Sequence, residues 1–146
     1  QKCNQKFDYP VEWGADLRTE HERFLTDTHF NGPVIVTDYP RDIKAFYMKQ
    51  SDDGKTVEAF DILIGDIGEV VGGSMREEDL SKLETRIEEL GMEKETLDFY
   101  LKIRQFGTVP HGGFGIGFAR LLMFITGKTS IREVVPFPVM GGRLTC

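Results

Sequence analysis

Between His111 and Arg120 glycine falls at 113, 115 and 117, with Phe114, Ile116 and Phe118 in the gaps. Successive side chains of a strand point to opposite faces, so this alternation predicts one face of bare backbone and one that is continuously apolar. Glycine weakens a strand and often marks a place where a ligand must come close to the main chain. A flat ring could lie on the bare face, while the apolar face is expected to press against a helix or core. The pattern then changes. Phe118, Leu121, Leu122 and Ile125 recur at helical spacing and Gly127 is a helix-ending residue, so the unit reads as a strand running into a helix with Arg120 at the joint. On spacing alone a glycine-rich hairpin or bulge is the other reading. A dinucleotide fingerprint is excluded, because the third glycine comes too early for G-x-G-x-x-G.

The chain ahead of this unit supplies charged residues in a strand context. Thr56 to Ile64 and Glu69 to Arg76 are expected to pair about the Gly65-Asp66-Ile67-Gly68 turn, which puts Asp61 and Glu69 on one face as diagonal neighbours. Two such carboxylates are hard oxygen ligands suited to Mg²⁺ with phosphate oxygens completing the shell. A turn-stabilising Asp61 and an edge-strand Glu69 fit the spacing equally. Arg76 lies an odd number of residues from Glu69, so strict alternation sends it to the opposite face. A bulge at Gly72-Gly73 would return it to the same side. Val34 to Tyr39 is expected as a buried strand ended by Pro40, and Ile43 to Met48 as a second strand with Lys44 and Phe46 on one face. Taken alone, Lys44 fits a solvated strand lysine.

Helices are expected from Thr19, where Thr19 and Glu22 form a capping-box pattern, from Glu77 to Gly91 with Leu80, Leu83, Ile87 and Leu90 as an apolar stripe, and from about Glu93 to Phe106. A short helical turn should follow Thr129-Ser130. His21 and His29 are expected to face solvent, and no second histidine stands at the spacing of a zinc-protease helix.

Composition sets the outer limits. A chain of 146 residues, 40% hydrophobic and 29% charged, fits one water-soluble domain, and no run approaches the roughly 20 apolar residues of a membrane span. The net charge of −6 argues against a protein that coats nucleic acid, since neutralising phosphates takes clustered Lys and Arg. Cys3 and Cys146 match no metal spacing and are expected as free thiols in a reducing compartment. With no signal peptide and Gln1 in place of an initiator Met, the expectation is a processed or truncated chain in the cytoplasm.

These pieces together resemble the class II aminoacyl-tRNA synthetases, whose motif 3 is a strand leading into a helix with an arginine at the joint. The wording Pro110-His111-Gly112-Gly113-Phe114-Gly115-Ile116-Gly117-Phe118 is similar to the asparaginyl-tRNA synthetase family, as are Asp38-Tyr39-Pro40 and Lys44-Ala45-Phe46-Tyr47-Met48. The likeness runs from about Phe7 to Phe137. Aspartyl enzymes, the close relatives, usually carry a histidine two residues after the arginine matching Arg76, where this chain has Glu78.

The resemblance implies an α+β fold, an antiparallel sheet with flanking helices, and an asparagine–tRNA ligase that binds ATP, Mg²⁺, asparagine and tRNA(Asn). It implies that Gly113, Gly115 and Gly117 underlie the adenine and that Arg120, the catalytic candidate, stacks on the ring and touches the phosphates. It further places Ser74 beside the phosphates, makes Asp61 and Glu69 metal and ATP carboxylates, and puts Lys44 and Arg76 in the amino-acid pocket. Motif 1, which builds the family's homodimer, motif 2 and the anticodon-binding domain have no counterpart. Residues 1–146 therefore read as the C-terminal portion of a catalytic domain, with an incomplete sheet. Two positions depart from the family pattern: Ala119 replaces the acidic residue before the motif 3 arginine, and Phe137-Pro138-Val139 with Gly141-Gly142 replaces a closing Phe-Pro-Arg and Pro-Gly. The alternatives are a paralog that amidates aspartate without tRNA and a non-catalytic remnant.

Overall fold

The structure, a computed structural model, describes residues 7–139; the expectations for Cys3, Cys146 and Gly141-Gly142 lie outside them. Its centre is one antiparallel sheet of four strands, β1 (Val34–Pro40), β2 (Thr56–Ile64), β3 (Gly68–Met75) and β4 (Gly112–Ile116), which lie side by side in chain order. The helices are α1 (Thr19–Arg23), α2 (Leu80–Glu89), α3 (Asp98–Gln105) and α4 (Phe118–Thr126). Short 3₁₀ turns precede Lys44, join β2 to β3 and lead into α3, and a π-helical turn, Phe24–His29, continues α1. The expected α+β antiparallel class is what the chain adopts.

Strand pairing sorts the side chains into two faces, because residues directly opposite one another share a face. Val57, Ala59, Asp61 and Leu63 alternate along β2 and are all buried. Tyr39, Val57 and Ala59 form a core with Val36, Ile43 and Met48 packed against it. Leu83 and Ile87 of α2 are fully buried. The expected stripe is therefore real in its middle, whereas Leu90 is exposed.

The other face is different. Phe60, Gly73 and Phe114 are in register across the sheet, as are Ile35, Ile62, Val71 and Ile116. Ile35 is 64% exposed, Phe114 69% and Ile116 50%. The apolar face of the glycine strand was expected to press on a helix or core; in this chain it faces outward.

Three other expectations change. Residues 44–48 are not a strand: Met48 N–H closes a turn on Ala45 O (3.2 Å), and the backbone pairing here is isolated bridges, Met48 to Arg76 and, just beyond the segment, Gln50 to Val57. A short apolar run carries too little periodicity to tell a strand from a packed turn. His21 is 4% exposed rather than solvent-facing. Its Nδ1 accepts the Arg18 N–H (2.9 Å) and its Nε2 donates to Tyr9 O (2.8 Å), so the histidine ties the leading segment to α1. Thr19 is the first helical residue and Arg18 the cap, so His21, not Glu22, reaches back to the cap. His29 is exposed as expected. The bulge in β3 lies at Val70 rather than at Gly72-Gly73, since Ile62 pairs with Val71 and Leu63 with Glu69.

Candidate functional site

The displaced bulge does the work expected of it. Leu63 pairs with Glu69, which sets Glu69 on the face of Asp61, and the extra residue at Val70 brings Gly72 and Ser74 to that same face, opposite Asp61 and Ala59. Arg76 continues on the same side, its Nη1 donating to Ser74 Oγ (2.9 Å). Val70, the extra residue, is 3% exposed.

Gly72 is the floor of an acidic notch. A Cβ there would lie 2.6 Å from Glu69 Oε1 and 3.0 Å from Asp61 Oδ1. The two carboxylates thus converge over a point that only glycine leaves open. Asp61 Oδ2 points the other way and receives Lys44 Nζ at 2.9 Å. The ammonium also stands 3.6 Å from the centre of the Tyr39 ring. Burial, and then the hydrogen bond to the Asp61 carboxylate, hold the Tyr39 hydroxyl far above the usual phenol range. Lys44 therefore reaches the site from a turn rather than from a strand.

The glycines of β4 clear the neighbouring wall. Gly113 lies opposite Ser74, and a Cβ on it would come 3.1 Å from Arg76 Nη2. The Arg76 guanidinium sits 4.5 Å from the Tyr47 ring centre. Above Gly115 there is open space, and the stem of Arg120 runs 3.6 Å from where a Gly117 Cβ would be. Arg120 is on the first turn of α4, and its Nη1 donates to Glu69 O. Gly127, with φ at +66°, ends that helix in the left-handed conformation.

Glu22 belongs to the site through the fold and not through any sequence motif. It lines, with Arg18, Glu69 and Arg120, an open cleft of about 530 Å³. Its carboxyl is pushed up, by burial first and then by the charge of Glu69, with Arg120 opposing. No local pattern marks it, because it meets Glu69 and Arg120 only through the fold. Tyr39 and Tyr47, seen in the sequence as parts of strands, prove to be the ring platforms for Lys44 and Arg76.

The model of one family, described as the class II tRNA synthetases (D, K and N), matches residues 3–141. The chain belongs to that family. Within these class II synthetases it is 62% identical over 133 residues to the asparagine–tRNA ligase of Parabacteroides distasonis, an alignment covering 91% of this chain and 28% of that protein. With the asparagine–tRNA ligase of Clostridium beijerinckii the identity is 59% over 138 residues, 94% of this chain and 30% of the relative. The crystal structure of asparaginyl-tRNA synthetase from Pyrococcus horikoshii complexed with asparaginyl-adenylate superposes with a TM-score of 0.88 at 42% identity, over 98% of this chain and 33% of that one. An aspartyl-tRNA synthetase from Entamoeba histolytica follows the same fold at 29% identity and a TM-score of 0.81, over 89% of this chain and 28% of that one. The chain spans about a third or less of the length of these relatives.

Among the described residues no group of three or more His, Cys, Asp or Glu side chains could hold a metal by itself. The pair over Gly72 offers two hard oxygens around a notch that a Cβ would fill, which fits a cation whose other ligands are phosphate oxygens and water. No helix of the described residues is long and apolar enough to cross a membrane.

Proposed function

We propose that this chain is the adenylate-forming half-site of an asparagine–tRNA ligase, a class II synthetase acting with ATP, asparagine and tRNA(Asn). The observation that carries the reading is the convergence of Lys44, Asp61, Glu69, Ser74, Arg76 and Arg120 on one sheet face, beside the bare glycines of β4. In the first step a carboxylate oxygen of asparagine attacks the α-phosphorus of ATP. The bond to the bridging oxygen breaks, pyrophosphate leaves and asparaginyl-adenylate forms. In the second, the terminal hydroxyl of the tRNA attacks the acyl carbon, gives up its proton and displaces AMP.

Little covalent chemistry falls to side chains, so catalysis is positioning and charge neutralisation. Gly113, Gly115 and Gly117 give the adenine a surface without side chains. Arg120, the catalytic residue of the reading, covers the ring and reaches the phosphates, and Ser74 stands beside them. Asp61 and Glu69 would hold Mg²⁺, which supplies neutralisation of phosphate charge. Arg76, carried on the Tyr47 ring, presents planar donors to the side-chain carbonyl of asparagine, with Lys44 at the same pocket. The reading carries with it a homodimeric, cytoplasmic enzyme.

Asparagine-dependent ATP–pyrophosphate exchange in the full-length protein tests this. Replacing Arg76 by Ala should raise the asparagine KM about 10- to 100-fold, the equivalent of one charge-assisted hydrogen bond, with little change in the ATP KM. An unchanged asparagine KM would remove Arg76 from the pocket. Formation of free asparagine from aspartate, with no asparaginyl-tRNA, would assign the protein to the amidating class instead.

A further inference from the structure

Arg104, near the end of α3, is 6% exposed. Buried guanidinium groups are ordinarily matched by carboxylates, because an unpaired buried charge is costly. Here the hydrogen-bond partners among the described residues are neutral. Nε donates to Glu77 O (3.1 Å), Nη1 to Tyr100 O (3.3 Å) and Nη2 to the Tyr100 hydroxyl (2.8 Å). Nη2 also faces His111 Nε2 at 3.4 Å, and the guanidinium carbon lies 3.8 Å from the centre of the Tyr100 ring. His111 Nδ1 is 2.9 Å from Val109 O, and a carbonyl can only accept, so in the neutral ring Nδ1 carries the proton and Nε2 accepts from Arg104.

What these contacts have in common is Arg76. Glu77 is the next residue, and Arg104 grips its carbonyl. His111 is the residue whose own carbonyl takes the Arg76 N–H (2.9 Å). One side chain thus joins the chain leaving β3, at the Glu77 carbonyl, to the chain entering β4, at the His111 ring. The third support is Tyr47, whose carbonyl receives the Glu77 N–H (2.9 Å) and whose ring underlies the Arg76 guanidinium. Arg104 is the support that carries a buried guanidinium, and it comes from a helix that contributes no other residue to the site described above.

We propose that Arg104 is a positioning residue for Arg76, and through it a determinant of how selectively the site takes an amino acid with a carboxamide side chain. The proposal rests on the assignment of Arg76 to the amino-acid pocket. Planar recognition by a guanidinium depends on its aim, and a shift of about 1 Å can cost on the order of 100-fold. A role confined to stability would lower the amount of folded enzyme without separating one substrate from another.

The test is pyrophosphate exchange in the full-length protein with Arg104→Met, Arg104→Lys and Arg76→Ala, singly and with Arg104→Met and Arg76→Ala combined. Arg104→Met should raise the asparagine KM on the order of tenfold, leave the ATP KM unchanged and narrow the preference for asparagine over aspartate. Arg104→Lys should recover part of the loss. In the Arg76→Ala background, Arg104→Met should add nothing, since the two act through one contact. A parallel rise in both KM values, or additive effects in the double variant, would overturn the proposal. If Arg76→Ala leaves the asparagine KM untouched, it is the assignment of Arg76 that fails. If Arg76→Ala raises it and Arg104→Met does not, the positioning role fails. Tyr100→Phe, which removes one acceptor and keeps the ring, decides the matter should Arg104→Met not fold: a rise in the asparagine KM alone supports the role and no rise overturns it.

Discussion

At Gly72 two negative charges meet over a missing side chain. An alanine there would need no unusual backbone, yet its methyl would displace Glu69 Oε1 and Asp61 Oδ1 from the notch. Both oxygens end side chains that can rotate, so the fold should tolerate Gly72→Ala with less than about 1 kcal/mol of change. We expect the variant to need several-fold more Mg²⁺ for half-maximal exchange, following the usual loss when a ligand's geometry is disturbed. A magnesium titration with an unchanged midpoint would take the notch out of the reaction. The same residue explains what could be read in advance. The shared face of Asp61 and Glu69 was legible from alternation, but Gly72-Gly73 suggested a bulge because glycine is common in bulges. Those glycines serve clearance instead: Gly72 for the carboxylates, and Gly73 for Phe60 and Phe114, whose atoms would lie 2.7 to 2.9 Å from a Cβ. The bulge went to Val70, whose burial no local pattern announces. Glu22, His21 and Arg104 were illegible for a related reason, since each is defined by partners that the fold alone supplies.

Elements with their own end signals were the easiest to foresee. The change of period at Gly117 marks the passage from β4 to α4, and Gly127 ends that helix. For α2 the apolar stripe marks a helix within residues 77–91, while the helix itself runs Leu80–Glu89 and its start is set by Asp79, whose Oδ1 accepts the N–H groups of Ser81 (2.8 Å) and Lys82 (3.2 Å). The Ser81 hydroxyl, donating to the same oxygen at 2.7 Å, is the largest influence holding the Asp79 carboxyl below its usual range. Asp79→Ala should cost about 1 kcal/mol of stability, read as a shifted urea midpoint. Because the folded carboxyl binds its proton less readily than the unfolded one, the Asp79 contribution is present above about pH 3.9 and fades as pH falls below it. The variant and parent should therefore converge in stability in acid; an equal gap at pH 3 and pH 7 would assign the cap another role. Ile43 to Met48 reads as a strand in the sequence, with Lys44 and Phe46 on one face, and folds as turns instead. The core claims Ile43 and Met48 from either side of a tight turn, and the turn is what swings Lys44 onto Asp61.

The molecule as a whole carries one finished face and one open one. Ile35, Phe114 and Ile116 put exposed apolar surface on the side of the sheet away from the charged residues, and contiguous apolar surface of this kind is often a place of association. Residues 1–146 by themselves should bind a hydrophobic dye, self-associate and form no asparaginyl-adenylate, because one wall of a site cannot impose in-line geometry or keep water from the phosphates. Asparagine-dependent exchange above background by the purified piece would refute this. The order of the strands has a further consequence, for how such a sheet is made. Each strand is laid beside the one before it, so none has to be threaded between two already paired. Residues 41–55 join β1 to β2 and Gly65–Ile67 joins β2 to β3, while the last strand returns only after α2 and α3 have been spelled out. On a ribosome the β1–β3 meander can close while β4 is still being synthesised, and closing the longer loop adds only slowly to the entropic cost. The wall that carries Arg120 is then the last to arrive, and until it does the open rim of the sheet is β3, whose glycines make it a poor template for strands of other chains.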